Sequence, residues 1–440
     1  MLLLLPPLLA LAAAQAEAPP SQASPAPAPA PAPAPATDSI FTRSQLSGDW
    51  WGARSDLSTY GITFDIDLVN FFQGVASGGL HRDFAVGGNF NLELNADLGA
   101  MKLVPGGSVF VHGESRYGET VNADTGALTP VNTRGYFPLT TPSDASVPFA
   151  VTELSYSQTL FEIVSVTIGK MIVVDGDPLE FAGGRGRTQF FNSNFVYNAV
   201  TSQTAPYATL GASVEVQPVS WLSFSTAIFG TNDASTTSGF GDLDDGLTWW
   251  GQLAVQYELG SLPGGCDVGG LYAFDNDFAQ IGGKVTIVPG GFELDTVSDS
   301  WAIFAGMWQY LYAPDPRAAQ VNPSDTLADL RGVGIFARLG FADPDANPVD
   351  WSASIGLGGR GLIPGRDGDT CGLAYYYTDV QNLRLQSILP IASRTQGIEA
   401  YYNVAITPAV NLTFDAQWID GVVTTLDPAL VLGMRLDVAF

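Results

Sequence analysis

Charge is scarce in this sequence. Asp, Glu, Lys and Arg make up 14% of its 440 residues, whereas soluble domains average about 25%, so the surface is poorly suited to bulk water on all sides. Basic residues are scarcer still. The 18 Lys and Arg stand against 44 Asp and Glu, a formal net charge of −26, which excludes nucleic acid as a partner because a phosphate backbone demands clustered cations. Two histidines, His81 and His112, and two cysteines, Cys266 and Cys371, supply no metal-ligand cluster, and no cofactor is expected. No stretch beyond the N-terminus offers ~18 uninterrupted apolar residues, which excludes membrane-spanning helices. If such a chain lives in lipid it must be a closed barrel, since an open sheet leaves backbone groups unsatisfied there.

What the sequence does have is alternation. In NLELNADL, residues 91–98, Leu92, Leu94, Ala96 and Leu98 share one face of an extended chain, and Asn91, Glu93, Asn95 and Asp97 share the other. A soluble sandwich explains one such strand as well as a membrane barrel does. Sixteen segments of this kind follow Ile62, at 62–73, 83–98, 108–117, 147–160, 163–174, 205–217, 219–230 and 247–259, then 267–275, 300–312, 332–342, 350–361, 372–381, 395–407, 409–420 and 429–440. Most reach the ~9 to 11 residues a tilted strand needs to cross a bilayer, and bacterial barrels have an even count. Connections alternate in length. KLVPGG, Phe161-Glu162, Pro218 and LPGG are short, whereas 118–146, 175–204, 231–246 and 276–299 are long and rich in Gly, Asp, Thr and Pro, as the periplasmic turns and external loops of a barrel are. The connection 313–331 breaks the pattern, implying a small helix or a miscounted strand. Lys170 shares parity with Val164, Val166 and Ile168, which implies a bulge or a place near the rim. The predicted fold is all-β, a sixteen-stranded antiparallel transmembrane barrel over 62–440 with a short N-terminal helical segment.

Residues 1–16 read as a signal peptide, ending in the small-residue pattern Ala14-Gln15-Ala16. Residues 17–36 form a Pro-Ala tract, a semi-rigid periplasmic linker of ~3.1 Å per residue and roughly 60 Å at full stretch. In 37–61, Ser47 or Asp49 can cap a short helix and Gly61 can end it, giving a plug or brace at the barrel mouth. The cysteines fall four strands apart, too far to bridge.

Several blocks taken together, LSGDWWGARSDLSTYGITFDIDL, IGKM followed by EFAGGRGRTQFFNSNF, APYATLGASVEVQP, DWSASIGLGGRGLIPGRDGDTCGLAYYYTD and QGIEAYYNVAITPAVNLTFDAQWID with the terminal Phe440, resemble the carbohydrate-selective outer-membrane porins, the OprB-like family. The resemblance spans about 46–440. It implies a barrel in the outer membrane of a Gram-negative bacterium that passes small sugars by diffusion and meets outer-membrane lipids and lipopolysaccharide. The alternating last strand closing on Phe440 is similar to the signal read by barrel assembly machinery, and a homotrimer is plausible for a large porin.

Strand parity places Asp65, Asp67, Glu93, Asn95, Glu114, Arg116, Glu215, Arg338, Glu399, Asn403 and Arg435 on the lumen wall, where carboxylates accept from sugar hydroxyls and guanidinium groups donate in a fixed fork. The long connection GDPLEFAGGRGRTQFFNSNF is the candidate constriction. Its glycines allow tight turns, presenting Arg185 and Arg187 beside Phe181, Phe190 and Phe191. Trp249-Trp250, Tyr375-Tyr376-Tyr377 and Tyr401-Tyr402 each divide between aromatic girdle and lumen, since neighbours on a strand face opposite ways. Two rival readings remain: a general or cation-preferring porin, favoured by the net charge, and an outer-membrane glycan hydrolase, which needs two carboxylates across a cleft.

Overall fold

The computed structural model describes residues 39–135, 148–174, 179–182, 186–242, 244–288, 291–315, 330–381 and 390–440. The expected signal peptide, Pro-Ala tract and Arg185 lie outside these residues, as does most of 313–331. The strands are β1 (Ile62–Ser77), β2 (Phe84–Asp97), β3 (Gly107–Gly118), β4 (Ala150–Leu160), β5 (Val164–Ile172), β6 (Ala208–Val219), β7 (Leu222–Gly230), β8 (Leu247–Leu259) and β9 (Leu262–Phe274). Four short strands follow in one long connection, β10 (Phe278–Ala279), β11 (Val285–Val288), β12 (Gly291–Leu294) and β13 (Thr296–Val297). The series resumes with β14 (Ser300–Tyr312), β15 (Gly332–Ala342), β16 (Val349–Arg360), β17 (Thr370–Val380), β18 (Arg394–Thr407), β19 (Val410–Asp420) and β20 (Ala429–Ala439).

Sixteen of them, β1 to β9 and β14 to β20, form one closed antiparallel barrel. The first strand pairs with the last, Asp67 opposite Ala439 and Phe71 opposite Arg435, so no edge is left to seek hydrogen bonds in lipid. The pairs β10 with β13 and β11 with β12 make two small hairpin sheets outside it.

Parity decides which residues face which medium. On β20, Leu430, Leu432 and Met434 are exposed on the outer face while Val431, Arg435 and Asp437 are buried; on β16, Ile355 and Leu357 point out while Ser352 and Ser354 are buried. The octet 91–98 obeys the same rule, with Asn91 opposite Asp67 and Glu93 opposite Asp65 in the register of β1 and β2. Aromatic doublets split as alternation requires. Trp249 and Tyr375 are exposed, whereas Tyr376 and Tyr401 are buried.

Turn chemistry corrects two expectations. Pro218 is no turn but lies within β6, and the reversal falls at Ser220-Trp221 with Val219 paired to Leu222. LPGG is no turn: it opens β9, and the reversal is made by Gly260-Ser261, both in the left-handed region (φ 59° and 70°), with Leu259 paired to Leu262, as a tight two-residue hairpin requires. Phe161 and Glu162 do turn in that conformation (φ 55° and 58°). Lys170 causes no register break in either ladder of β5. It sits where the long connections gather, and its Nζ donates to Val151 O (2.7 Å), Ser235 O (3.1 Å) and Thr237 O (2.7 Å), which is the rim position expected as one alternative. Cys266 is on β9 and Cys371 on β17, both free and four places apart in the barrel order.

A 3-10 turn (Trp50–Gly52) and helix α1 (Ala53–Thr59) precede the barrel. Asp49 reaches across the turn to accept from Ser55 N (2.8 Å) and Ser55 Oγ (2.7 Å), and Gly61 (φ 85°) follows the helix end. Arg54 holds the helix to the two terminal strands, donating to Phe64 O (2.7 Å) and Phe440 O (2.5 Å) with its guanidinium 4.2 Å from the Phe64 ring centroid.

Candidate functional site

Between β5 and β6 the chain runs through residues 173–207. A connection buried this deeply must find partners for its own backbone, and inward-facing side chains of the wall supply them. Phe191 N and Asn192 N donate to the two oxygens of Glu399 on β18 (2.6 and 2.9 Å). Arg435 on β20 donates to Gly186 O and to Gln189 O (2.7 Å), and its guanidinium lies 3.9 Å from the Phe191 ring centroid. Arg338 on β15 donates to Phe195 O and Val196 O (3.3 Å to the latter). Asn192 Nδ2 donates to Gln417 Oε1 on β19 (3.1 Å), and Asn198 accepts from Ser352 Oγ on β16 (2.9 Å). Glu180 Oε1 accepts from Tyr310 Oη on β14 (3.0 Å). Burial raises the Glu180 carboxyl above its usual range, against the lowering pull of that hydroxyl and of Arg360.

Arg187 makes the contact that crosses the closing seam. Its Nη2 pairs with Asp67 on β1 and with Asp437 on β20 (3.4 Å for the second). Burial works against its charge, but Asp437 and Asp67 outweigh that and hold the guanidinium above its ordinary value. Around these polar anchors the rings of Phe181, Phe190 and Phe195 pack with Phe336, Tyr376 and Tyr401, Phe190 lying 4.8 Å from Tyr401 and 4.9 Å from Phe195 by ring centroid. These contacts run along consecutive strands from β14 through β20 to β1, and the end of the segment also meets the opposite strands, Thr248 Oγ1 on β8 donating to Thr204 O (2.9 Å) and Val200 and Ala205 packing in one cluster with Phe229 of β7 and Leu271 of β9.

On the far side of the segment lies an open cavity of ≈ 400 Å³ bordered by β6, β7, β8, β9 and β14. Its lining joins hydroxyls and amides (Ser213, Ser225, Thr226, Gln252, Tyr197, Asn198) to two acids, Glu215 and Asp267, and to Trp250 and Phe304. Gln252 Nε2 donates to Asp267 Oδ2 (3.1 Å), and Trp250 and Phe304 stand 5.0 Å apart by ring centroid. Acceptors, donors and a flat indole side by side suit a solute with many hydroxyls and few charges.

Of the residues picked from parity, only Glu215 and Arg338 border this cavity. Asp67, Glu399, Arg435, Arg187 and Phe190 belong to the packing of the segment. Glu114 on β3, fully buried, also holds the segment, accepting from Tyr207 Oη at its end (2.7 Å). The remaining wall residues lie elsewhere: Glu93 stands 3.9 Å from His112 Nε2; Arg116 donates to Gly135 O (3.3 Å); Asn95 is half-buried opposite Thr63; Asn403 accepts from Thr413 Oγ1 (2.9 Å); and Asp65 is exposed, 4.0 Å from Arg54. Sequence reasoning passed over Gln252, Asp267 and Tyr197. Asp267 is the first residue of the expected strand 267–275, where it shares parity only with Gly269, Leu271, Ala273 and Asp275, a face too mixed to be read as lumen.

An oily outer wall, a closed ladder and an interior that gathers polar and charged side chains define a porin-type transmembrane channel. The chain belongs to the family described as carbohydrate-selective porin, OprB family, whose model matches residues 81–440, and with it come sugar transport and the Gram-negative outer membrane. Among solved structures, the high-pH structure of OprB from Pseudomonas putida matches at 18% identity and a TM-score of 0.75, covering 92% of this chain and 100% of that one. The low-pH structure of the same protein matches at 15% identity and a TM-score of 0.56, covering 91% and 99%. At those identities the likeness establishes the fold alone. No curated protein matches the sequence.

Proposed function

We propose that the protein is a passive channel for small neutral mono- and oligosaccharides, through a water-filled lumen narrowed by the inward-folded segment 173–207, and that it performs no covalent chemistry. The observation carrying this is the division of labour in the lumen. Many charged wall residues are spent on holding the segment, and the open side sets hydroxyl, amide and indole groups with Glu215 and Asp267 among apolar side chains such as Met171, Ile172 and Leu179. Solute contacts then fall to Glu215, Gln252, Asp267 and Trp250, weak enough singly to let a sugar leave again. Arg187, Arg338, Arg435, Glu399, Asp67, Glu114 and Phe190 position the segment, and Glu93, Asn95, Arg116 and Asp65 line the remaining wall. Arg185 keeps its place as a constriction candidate.

In this reading the short turns face the periplasm, residues 1–16 are removed on export, and 17–36 tether the N-terminus there. The terminal strand serves the assembly machinery, and three copies associate in the membrane. The net charge of −26 favours a second reading, a cation-preferring channel without sugar selectivity. Liposome swelling with a graded sugar series, paired with single-channel recording, tests both. Swelling that falls with sugar size and current block by glucose or maltose support the first reading; strong cation preference with no block by sugar supports the second and removes the first.

A further inference from the structure

We infer that three inward-facing glycines, Gly334, Gly358 and Gly372, set the bore of the channel by fixing how deeply the 173–207 segment sits against the wall. This rests on the reading of that segment as the constriction. Glycine inside a strand weakens it and often marks a close approach by other atoms. None of the three has a φ in the left-handed region, so an alanine could adopt the same backbone and only space forbids it. What fills the space is the segment, joined at two of the glycines by the wall itself: Gln309 O of β14, 2.5 Å from a Cβ built on Gly334, and Tyr401 of β18 beside Gly372. A Cβ built on Gly358 would lie 2.6 Å from Phe181 Cβ, and one on Gly334 would strike the edge of the same ring. A Cβ on Gly372 would lie 2.7 Å from Phe190 Cζ and 2.5 Å from Tyr401 Cε1. Phe181 and Phe190 thus sit in sockets floored by glycine on three adjacent strands.

Carbon atoms pack best at about 3.5–4.0 Å, so one added methyl group at Gly358 must displace Phe181 by about 1 Å. The wall cannot yield that distance, because around Gly358, from Trp351 to Arg360, β16 is paired residue for residue with both β15 and β17. The segment must yield instead, and it moves towards the open side, where Leu179, two residues before Phe181, already borders the cavity. Five of the inward positions on β15 and β16 are glycines, Gly332, Gly334, Gly340, Gly356 and Gly358, and Gly340 repeats the device with Val200, 2.6 Å from its built Cβ.

The test is single-channel conductance and liposome swelling with glucose and maltotriose for Gly358→Ala, Gly334→Ala and the double variant Gly358→Ala/Phe181→Gly, each checked for heat-modifiable, folded barrels. The single variants are expected to lose conductance and to shift the glucose-to-maltotriose swelling ratio upward, on the order of twofold; removing the whole Phe181 side chain, its Cβ included, in the double variant is expected to restore both. Conductance to simple salt reads the bore whatever the solute, so failure of the carbohydrate reading and failure of this inference leave different records. Wild-type conductance in both folded single variants overturns the inference, as does narrowing that persists in the double variant. If Gly358→Ala does not assemble, assembly of the double variant supports the socket, and failure of both to assemble counts against it.

Discussion

Replacing Arg187 by methionine keeps most of the side chain's length and removes its charge. Arg187 is one-quarter exposed by side chain, while Asp67 and Asp437 retain only 8% and 7%, so the change strands two nearly dry carboxylates close together at the seam. Removing one partner of a buried pair costs about 3–5 kcal/mol. The residual exposure of Arg187 argues for the lower end, and ~3 kcal/mol corresponds to roughly 150-fold in the opening equilibrium of the segment. Hydrogen exchange of the amides in 186–201, read by mass spectrometry in detergent, should quicken by that factor while the strand amides of β15 to β18 stay protected. Because the cost comes from the orphaned acids, adding Asp67→Asn and Asp437→Asn to the Arg187→Met variant should recover most of the protection, and Arg187→Lys should lose less than Arg187→Met, since it keeps the charge and gives up only the fork. Unchanged exchange in Arg187→Met, or a triple variant as open as the single one, would refute the clasp.

Trp250→Ala removes the indole facing the cavity, an interaction of about 1 kcal/mol; block of the current by maltose should weaken roughly fivefold with salt conductance held or raised. Asp369 organises the connection 361–369 by accepting from Arg366 Nη2 (2.6 Å), Tyr402 Oη (2.6 Å) and Ala405 N (3.0 Å). Burial opposes its charge, but Arg366 and the other donors prevail and hold its carboxyl below the usual value. Its contribution is therefore complete above the ordinary carboxylate range and is lost as pH falls below that range through the depressed value; protection factors across 361–369 should drop on acidification, and Asp369→Asn should show the drop already at neutral pH. Arg54→Ala forfeits two hydrogen bonds and the Phe64 ring contact, about 2 kcal/mol, so chymotrypsin should cut at Trp50, Trp51 and Tyr60 roughly 30-fold faster in a barrel that otherwise stays intact.

The barrel was legible because each strand carries its own evidence. Alternation at 91–98 or 429–440 needs no knowledge of a neighbour, and all sixteen expected segments overlap a barrel strand. Glu399, Arg435 and Asp67, assigned to the inner face by strand parity, are buried against the 173–207 segment. Parity could not say which inner residues would meet the solute, because that depends on where a connection distant in sequence comes to rest: Glu399 contacts a segment more than 200 positions away. A charged inward residue looks the same in sequence whether it faces water or caps a buried amide. Glycine was harder still, since Gly334 and Gly358 read as weak strand residues until the rings that occupy their space are seen.

The segment lines only part of the circumference, and this makes the cylinder mechanically unequal. From β14 round to β1 each strand is backed by packed rings and polar anchors, while β6 to β9 border the open cavity along most of their length and β7 to β9 meet the segment at their loop ends. Mutations that reshape the conduit without unseating its scaffold should therefore be sought on the thin arc, where a side chain can grow or shrink against water; on the thick arc the same change must be absorbed by a neighbour that has nowhere to go.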